Sequence, residues 1–524
     1  MKTDLNSSVK IDKLLFWPPL ILVLLICSYI VKYPEAGTAA INKIFAFITG
    51  DLGWAYELFV FANLGLILYF IFGKFANKRF GDEKPEFSTL TWLGMLFSAG
   101  TTGTILYWSS MEFYYFLTAP PFGAKPLSPE AWDYSLAYSF FDWGISSYGL
   151  YVAIGVVFGY FFYVLKKDVF RPSTACEGLL GERAHGPIGK IIDIFYMIGI
   201  IAGVATSIGL GTPIISEIFT KLTGKPHTLA VDAVIILIWT LIIALSVYGG
   251  LEKGIARLSN FRIYLGYGVL AVVAIVGPTS FMFNNTFDAV GVYLNNFLRM
   301  SFYTDAHLKS GFPQGWPIFF FAWFLAFALS TGIYLARISK GRTVREFTLG
   351  ATFSGLLCAW LYFAVLGNYS ISVFMDNKVD IANVVEKFGG FRAAVEIWST
   401  LPFGSIFLIA ILILVFISTA TSINSIAYTL AMVSSDKLEE GQNPAKWNRL
   451  SWAIILGGLA LTLMFLGGLK PLQTAATAGS LPTMIIMVII FIGFLKTAGK
   501  SWGEKSEGPS AGVDVLKNKN DISI

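Results

Sequence analysis

The sequence predicts an all-α membrane protein with twelve transmembrane helices. Its 524 residues are 55% hydrophobic and only 14% charged, whereas a soluble domain carries about 25% charged residues. Apolar stretches recur along the chain, and a helix needs about 20 such residues to cross the hydrocarbon core of a bilayer. Because a soluble fold could not bury this much apolar surface, lipid must surround much of the chain.

The predicted spans follow from these apolar stretches. The longer ones exceed a perpendicular crossing, so tilt or a kink is expected. A polar N-terminal segment, residues 1–13, precedes the helical domain, residues 14–497, and a polar tail predicted to be disordered, residues 498–524, follows it. The spans lie near 14–32, 53–73, 88–108, 135–165, 191–219, 229–249, 263–284, 315–338, 346–367, 404–433, 447–466 and 477–497.

The distribution of Lys and Arg predicts the orientation. Basic residues concentrate after the second, fourth and eighth spans, while residues 109–134 contain only Lys125. Since cytoplasmic loops are rich in Lys and Arg, both termini are predicted to be cytoplasmic. The net charge of +5 is explained in this way without a nucleic-acid partner.

Three segments between spans are expected to lie along the membrane surface. Residues 290–302, within the extracellular segment 285–314, are partly apolar, and residues 368–403 are similar. The basic cytoplasmic segment 250–262 is expected to lie flat.

Residues with catalytic or metal-binding potential are few and scattered. The three cysteines and three histidines have no disulfide or metal-ligand spacing. The sequence has no P-loop, nucleophile elbow or selectivity-filter signature, which argues against an enzyme or a channel, and it indicates no cofactor. A solute sensor that binds without transport remains an alternative.

Small polar residues interrupt apolar spans in pairs. The third span contains the run 98–104 and the eighth contains Ser330–Gly332; the fifth contains Thr206 and Ser207, and the tenth contains Thr421 and Ser422. An offset of five spans reverses membrane orientation, and paired interruptions in inverted halves are typical of a midplane site in secondary transporters. Close helix packing is the alternative for each patch, but the pairing favours transport.

Two spans are rich in aromatic residues. Trp143, Tyr148 and Tyr151 can share a broad face of the fourth span, and Trp323 and Phe327 share a face of the eighth. Aromatic faces suit a quaternary ammonium group because its methyl groups prevent hydrogen bonding to the nitrogen. Since 16% of the chain is aromatic, packing and lipid contact are the alternative.

The chain resembles the betaine/carnitine/choline transporter family over residues 14–497. The resemblance implies a LeuT-type five-plus-five inverted repeat (about 88–284 and 315–497), a homotrimer in the bacterial inner membrane, and secondary transport of quaternary-ammonium compounds. It rests on the stretches 206–211, 250–254, 312–316, 336–346 and 467–473, together with the aromatic residues of the eighth span.

The resemblance also implies which residues line the substrate path. Family members often have Trp at three of these positions, where this chain has Tyr148, Phe324 and Phe327. The implied substrate-binding residues are Tyr115, Trp143, Tyr148, Tyr151, Trp323, Phe324, Phe327 and Thr331.

The coupling residues point in two directions. The runs 108–115 and 120–123 are similar to those of the sodium-independent carnitine/γ-butyrobetaine exchangers, in which an arginine at the position of Arg262 supplies the charge that sodium supplies elsewhere. Sodium-coupled members tend to have Thr-Ser here, whereas this chain has Thr419 and Ala420 and so lacks the second hydroxyl. A shift of one or two residues could restore it through Thr421 and Ser422. The resemblance therefore implies betaine exchange.

Two departures support sodium- or proton-coupled uptake of glycine betaine or choline instead. Thr331 adds a hydroxyl on the cavity side, and Asp142 replaces the usual histidine before Trp143. Asp142 could bind a proton or counter a cation, or it could face water at a helix end.

Overall fold

The structure is a computed structural model that describes residues 9–99, 103–167, 171–249, 252–436, 442–467 and 469–502. Most of the predicted N-terminal segment and tail, and motif residues 100–102, 250, 251 and 468, lie outside this part. The described chain is helical, apart from isolated β-bridges that join Ile11 to Ser435 and Arg79 to Thr343.

Ten α-helices lie in the described part of the chain up to Thr223, and the last of them corresponds to the fifth predicted span. They are α1 (Lys13–Lys32), α2 (Pro34–Phe45), α3 (Gly53–Phe72), α4 (Thr89–Ala99), α5 (Ile105–Thr118), α6 (Pro129–Asp142), α7 (Ile145–Tyr163), α8 (Pro172–Ala175), α9 (Glu177–Leu180) and α10 (Pro187–Thr223).

The second part of the chain contains the remaining described helices. They are α11 (Leu229–Gly249), α12 (Glu252–Val276), α13 (Thr279–Ser301), α14 (Phe312–Gly315), α15 (Pro317–Arg337), α16 (Val344–Tyr362), α17 (Asn368–Met375), α18 (Ile381–Phe388), α19 (Gly390–Ser399), α20 (Gly404–Val433), α21 (Lys446–Phe465) and α22 (Lys470–Ser501).

About ten helical segments are long and apolar enough to cross a membrane. Within the described residues there are 10 such segments, or up to 11 if a bent pair at α12 and α13 is one span. The third predicted span falls in two pieces, α4 and α5, and the apolar piece of α4, Thr89–Ser98, is too short to cross alone. The membrane class is therefore confirmed, while the number twelve stays a prediction.

The fourth predicted span breaks where α6 meets α7. Gly144 has an extended backbone (φ −97°, ψ −158°), and it begins α7 directly after Trp143. A Cβ on Gly144 would lie 2.4 Å from the Phe140 carbonyl oxygen, so a larger residue would clash there. The expected kink in this long span is thus a break, and it leaves Trp143 between two helices.

The seventh span differs from its predicted bounds of 263–284. It ends at Val276, and the chain bends by 107° into α13. Gly277 and Pro278 lie at the bend, and proline lacks the N–H that would continue a helix. Residues 252–262, the described part of the segment predicted to lie flat, are helical and belong to α12. Their orientation to the membrane surface stays a prediction.

The predicted surface segments on the other side are helical. The apolar stretch predicted at 290–302 is part of the longer helix α13, which exposes Phe283, Phe287, Leu294 and Leu298. These positions recur at spacings of four and seven residues, as one helix face does. Residues 381–399 form α18 and α19.

The eighth span is continuous through Ser330–Gly332, so its small residues do not mark an unwound helix. Gly332 instead allows α15 to cross α7 closely. A Cβ on Gly332 would lie 2.5 Å from Ile154 Cγ2 and 3.2 Å from the Gly155 nitrogen. The packing interpretation therefore holds for this glycine.

The basic segment after the eighth span pairs with the segment after the second. Phe80 N donates to Arg342 O (2.9 Å), Gly341 N to Phe80 O (2.8 Å) and Val344 N to Lys78 O (2.8 Å). Gly341 has φ of +77° and sits against the backbone of residues 83–85, so a side chain there would be strained. This pairing gives a structural reason for the distinctive sequence 336–346.

We expect Gly332→Ala to destabilise the protein by about 1–3 kcal/mol, because the added methyl overpacks the α7–α15 crossing. Gly65→Ala is the matched control, since no described atom beyond its chain neighbours and its own helix backbone lies within 4 Å of its Cβ position and alanine favours a helix by about 1 kcal/mol. Thermal unfolding in detergent measures both. An unchanged melting temperature for Gly332→Ala would contradict this packing.

Candidate functional site

A large cavity lies between α7, α10, α15 and α20. Its volume is about 810 Å³, within the range of about 300–1,000 Å³ typical of small-molecule sites. Trp143 and Trp323 line one region, and Arg337 and Arg449 line another. These arginines belong to the side of the membrane that the charge distribution predicts to be cytoplasmic.

The tryptophans of the cavity meet at the break in the fourth span. The rings of Trp143 and Trp323 are 6.2 Å apart and nearly perpendicular, at 85°. Trp143 also meets the edge of Phe324 at 5.7 Å. α7 and α15 are held together by the glycine crossing described above, so the two ring systems are supported by rigid elements.

Tyr148, Tyr151 and Phe324 form the adjoining wall. Tyr151 stacks on Phe324 at 5.2 Å and 26°, and Tyr148 approaches Phe324 edge-on, also at 5.2 Å. Phe327 lines the cavity one helical turn from Trp323. The structure thus brings six sequence-predicted aromatic residues to one cavity: Trp143, Tyr148, Tyr151, Trp323, Phe324 and Phe327.

Glu112 fixes the orientation of Trp143. The indole Nε1 of Trp143 donates a hydrogen bond of 2.8 Å to Glu112 Oε1, and the Glu112 side chain is fully buried. A hydrogen bond in a water-excluded site is electrostatically stronger than the same bond in water. Sequence reasoning did not single out Glu112, because the pairing joins residues of different helices.

Tyr115 lies outside the cavity lining. Its ring stacks on Trp316 at 5.3 Å and 27°, and its hydroxyl is 2.6 Å from that of Tyr107. Trp316 contacts Trp108 at 6.2 Å, and Trp108 contacts Trp323 at 6.4 Å. Two further rings therefore separate Tyr115 from the aromatic wall, and its role in the substrate path stays a prediction.

Asp142 is also outside the lining, although it directly precedes Trp143. It is the last residue of α6, but its side chain is completely buried and does not face water. Neither carboxylate oxygen has a hydrogen-bond partner among the described residues. The sequence suggested that Asp142 could face water at a helix end. Asp142 does lie at a helix end, but it does not face water.

The predicted coupling residues Arg262 and Thr419 both line the cavity, as does Thr331. Arg262 interacts electrostatically with Tyr267 and Tyr362. A Cβ on Gly211 would lie 2.9 Å from Thr419 Oγ1, so α10 and α20 approach closely here.

A stripe of polar residues along α20 was missed as a feature of the site. Its helical spacing of three and four residues in an otherwise apolar helix was the available signal. The stripe consists of Ser418, Ser422, Ser425 and Thr429. Thr421 also lines the cavity and donates to Ser418 O at 2.9 Å, whereas Ala420 does not line it.

The fold and the cavity define a polytopic membrane protein with an internal solute-sized site. The family model described as betaine/carnitine/choline family transporter (BCCT) matches residues 14–503. The chain therefore belongs to the BCCT family. Members of this family are secondary transporters of small quaternary-ammonium compounds, not enzymes, and the chain is a multi-pass protein of the inner membrane.

Proposed function

We propose that the protein exchanges zwitterionic betaines, such as carnitine and γ-butyrobetaine, by sodium-independent alternating access. The observation that carries the proposal is the shared cavity of Arg262 and the six aromatic residues. A fixed guanidinium can satisfy oxygen atoms that would otherwise need a bound cation.

The aromatic wall is the proposed site for the trimethylammonium group. The perpendicular rings of Trp143 and Trp323 both line the cavity, and each cation–π contact contributes about 0.5–2 kcal/mol. The hydroxyls along α20 and Thr331 are then available for the polar end of the substrate. Tyr148, Phe324 and Phe327 in place of tryptophans give a lighter wall, which leaves room for a longer betaine.

Twelve spans and an inverted repeat are part of the proposal. Ser207 and Ile208 of α10 line the same cavity as Ser422 and Ile423 of α20, five predicted spans later. This placement supports two inverted halves around one site. A homotrimer and cytoplasmic termini are proposed from the family resemblance and the charge distribution.

A second candidate is proton-coupled uptake, and Asp142 favours it. A fully buried carboxyl group without a hydrogen-bond partner is costly at membrane depth and is often functional. Thr331 on the cavity wall supports a related candidate, sodium-coupled uptake.

Counterflow in proteoliposomes tests the proposal. We expect labelled γ-butyrobetaine to accumulate without sodium only when the lumen contains carnitine or another betaine. Arg262→Ala should abolish this exchange in sodium-free buffer, because the guanidinium proposed to take the place of sodium is lost, and added sodium should restore part of it. Arg299→Ala is the control, since Arg299 lies on α13, away from the cavity lining. A sodium requirement in the wild type would contradict the proposal.

Trp323→Ala should weaken betaine binding about tenfold or more, because it removes a cation–π contact at a desolvated site. Trp323→Phe, which keeps an aromatic ring, should weaken betaine binding less. Trp54→Ala is the control, since Trp54 is 57% exposed on the outer surface. Calorimetric titration in detergent measures the affinities, and near-wild-type affinity of Trp323→Ala would refute the role of the aromatic wall.

Asp142→Asn distinguishes exchange from proton coupling. We expect this variant to retain exchange, because a neutral amide of the same shape suits a site that supplies no partner to a carboxylate. Asp376→Asn is the control at an exposed aspartate. Uptake into substrate-free liposomes that needs an inward proton gradient, and that is lost in Asp142→Asn, would establish the alternative.

A further inference from the structure

A network of charged side chains joins three helices at the membrane face opposite Arg337. His227, in the segment between α10 and α11, lies between two acidic residues. Its Nδ1 is 2.7 Å from Glu217 Oε1 at the end of α10, and its Nε2 is 3.0 Å from Asp232 Oδ2 at the start of α11. Ser216 also donates a hydrogen bond to Asp232.

The two contacts of His227 suit a protonated imidazole. A neutral ring has one N–H donor, and its other nitrogen carries a lone pair. With carboxylate oxygens at both nitrogens, the neutral ring could satisfy only one of them and would direct its lone pair at the other. The imidazolium donates to both and joins α10 to α11.

The same network extends to α19. Arg392 Nη1 is 3.5 Å from Glu217 Oε2, so Glu217 connects His227 to α19. Arg392 Nε also donates to Glu396 Oε1 at 2.8 Å. Lys221 of α10 donates to Glu396 Oε2 at 2.7 Å. α19 is thereby attached to the end of α10 by two ionic contacts.

α19 also covers α5 next to the aromatic rings. Trp398 Nε1 donates to Ser110 Oγ at 2.9 Å, and both side chains are buried. Phe391 packs on Tyr107 with ring centroids 4.4 Å apart. A Cβ on Gly390 would fall 2.0 Å from the Tyr115 hydroxyl, so the backbone of α19 touches this ring directly. Ser110 is accessible only if α19 moves.

We propose that His227 is a proton-binding site that latches α19 closed over this side of the transporter. Protonation completes the bridge between Glu217 and Asp232, and the completed bridge orients Glu217 to hold Arg392. Loss of the proton breaks one arm of the bridge and frees α19 to move. This proposal rests on the proposed alternating access, because the latch holds α19 on the side opposite the part of the cavity lined by Arg337 and Arg449.

The charges around His227 agree with this arrangement. The facing groups are Glu217 and Lys221 of α10, Asp232 of α11, and Arg392 and Glu396 of α19, with Lys225 in the same segment as His227. With His227 protonated, the formal charges of these groups other than Lys225 sum to zero. Hydrogen bonds to Asp232 and Glu217 raise the pKa of His227 from 6.5 to about 9, against the opposing effect of burial.

The sign of the pH dependence follows from the raised pKa. The closed state binds the proton more tightly than an open state with an ordinary histidine, so protonation favours closure. The latch is fully formed below pH 6.5 and is lost as the pH rises through about 9.

Ser110→Cys provides a reporter of α19 movement. The protein in nanodiscs is treated with a bulky hydrophilic maleimide at pH 6.5 to 9.5, and the parent chain gives the background from Cys27, Cys176 and Cys358. His227→Lys in the same background remains cationic over this range and serves as the reference at each pH, which cancels the increasing reactivity of the thiol itself.

We expect the labelling rate relative to this reference to increase about fivefold or more between pH 6.5 and 9.5. His227→Gln should be labelled rapidly already at pH 6.5, whereas His307→Gln, at an exposed histidine, should behave as the wild type. Equal rates for the wild type and His227→Gln at pH 6.5, or a pH-independent ratio to His227→Lys, would overturn the latch. Labelling needs no substrate, so this result is separate from the counterflow result that tests transport.

Discussion

The hydrogen bond from Trp143 to Glu112 fixes the geometry on which the aromatic wall depends. It forms where the fourth span breaks between α6 and α7, at Gly144, whose Cβ position is too close to the Phe140 carbonyl oxygen for a larger residue. The freed backbone is paired locally, with Trp143 N donating to Ser139 O and Tyr148 N to Gly144 O. Irregular backbone at this depth is tolerated only where it is buried in protein or lines a cavity.

The break also places Trp143 against α15. Trp143 follows the last residue of α6, and its ring reaches toward α15. There it meets Trp323 and Phe324, whose helix is held against α7 at Gly155 and Gly332. Loss of either the hydrogen bond or the close crossing would alter the space in which a substrate cation is proposed to bind.

The two ends of the protein differ in how the space between the helices is filled. Toward Arg337 and Arg449 the cavity continues between α15, α20 and α21, so polar groups there line open space. On the other side, rings and ionic contacts fill the space beneath α19. Apolar rings exclude water whatever the pH, while the network at His227 depends on a proton. A transporter that alternates between two open states needs closures of moderate strength, and a titratable bridge supplies one.

Some helices have the bounds that the sequence predicted, and others do not. The bounds of α1, α3, α20 and α21 were predicted to within a residue or two, because each is an apolar helix that ends near glycine, proline or polar residues. The seventh span was misjudged, since the Gly277–Pro278 bend lies within an apolar stretch that hydropathy alone reads as continuous. Ser330–Gly332 suggested an interruption in the eighth span, but the helix is unbroken and uses its glycine for packing.

The sequence by itself determined the membrane class and most of the spans, because hydropathy is a local property, and its resemblance to a known family implied the aromatic residues that line the cavity. Only the tertiary structure decided that Glu112 orients Trp143, that buried Asp142 has no hydrogen-bond partner among the described residues, and that His227 joins two carboxylates, one of which also pairs with Arg392. Each of these depends on side chains from different helices, and the distances between helices are set by packing that no local pattern records.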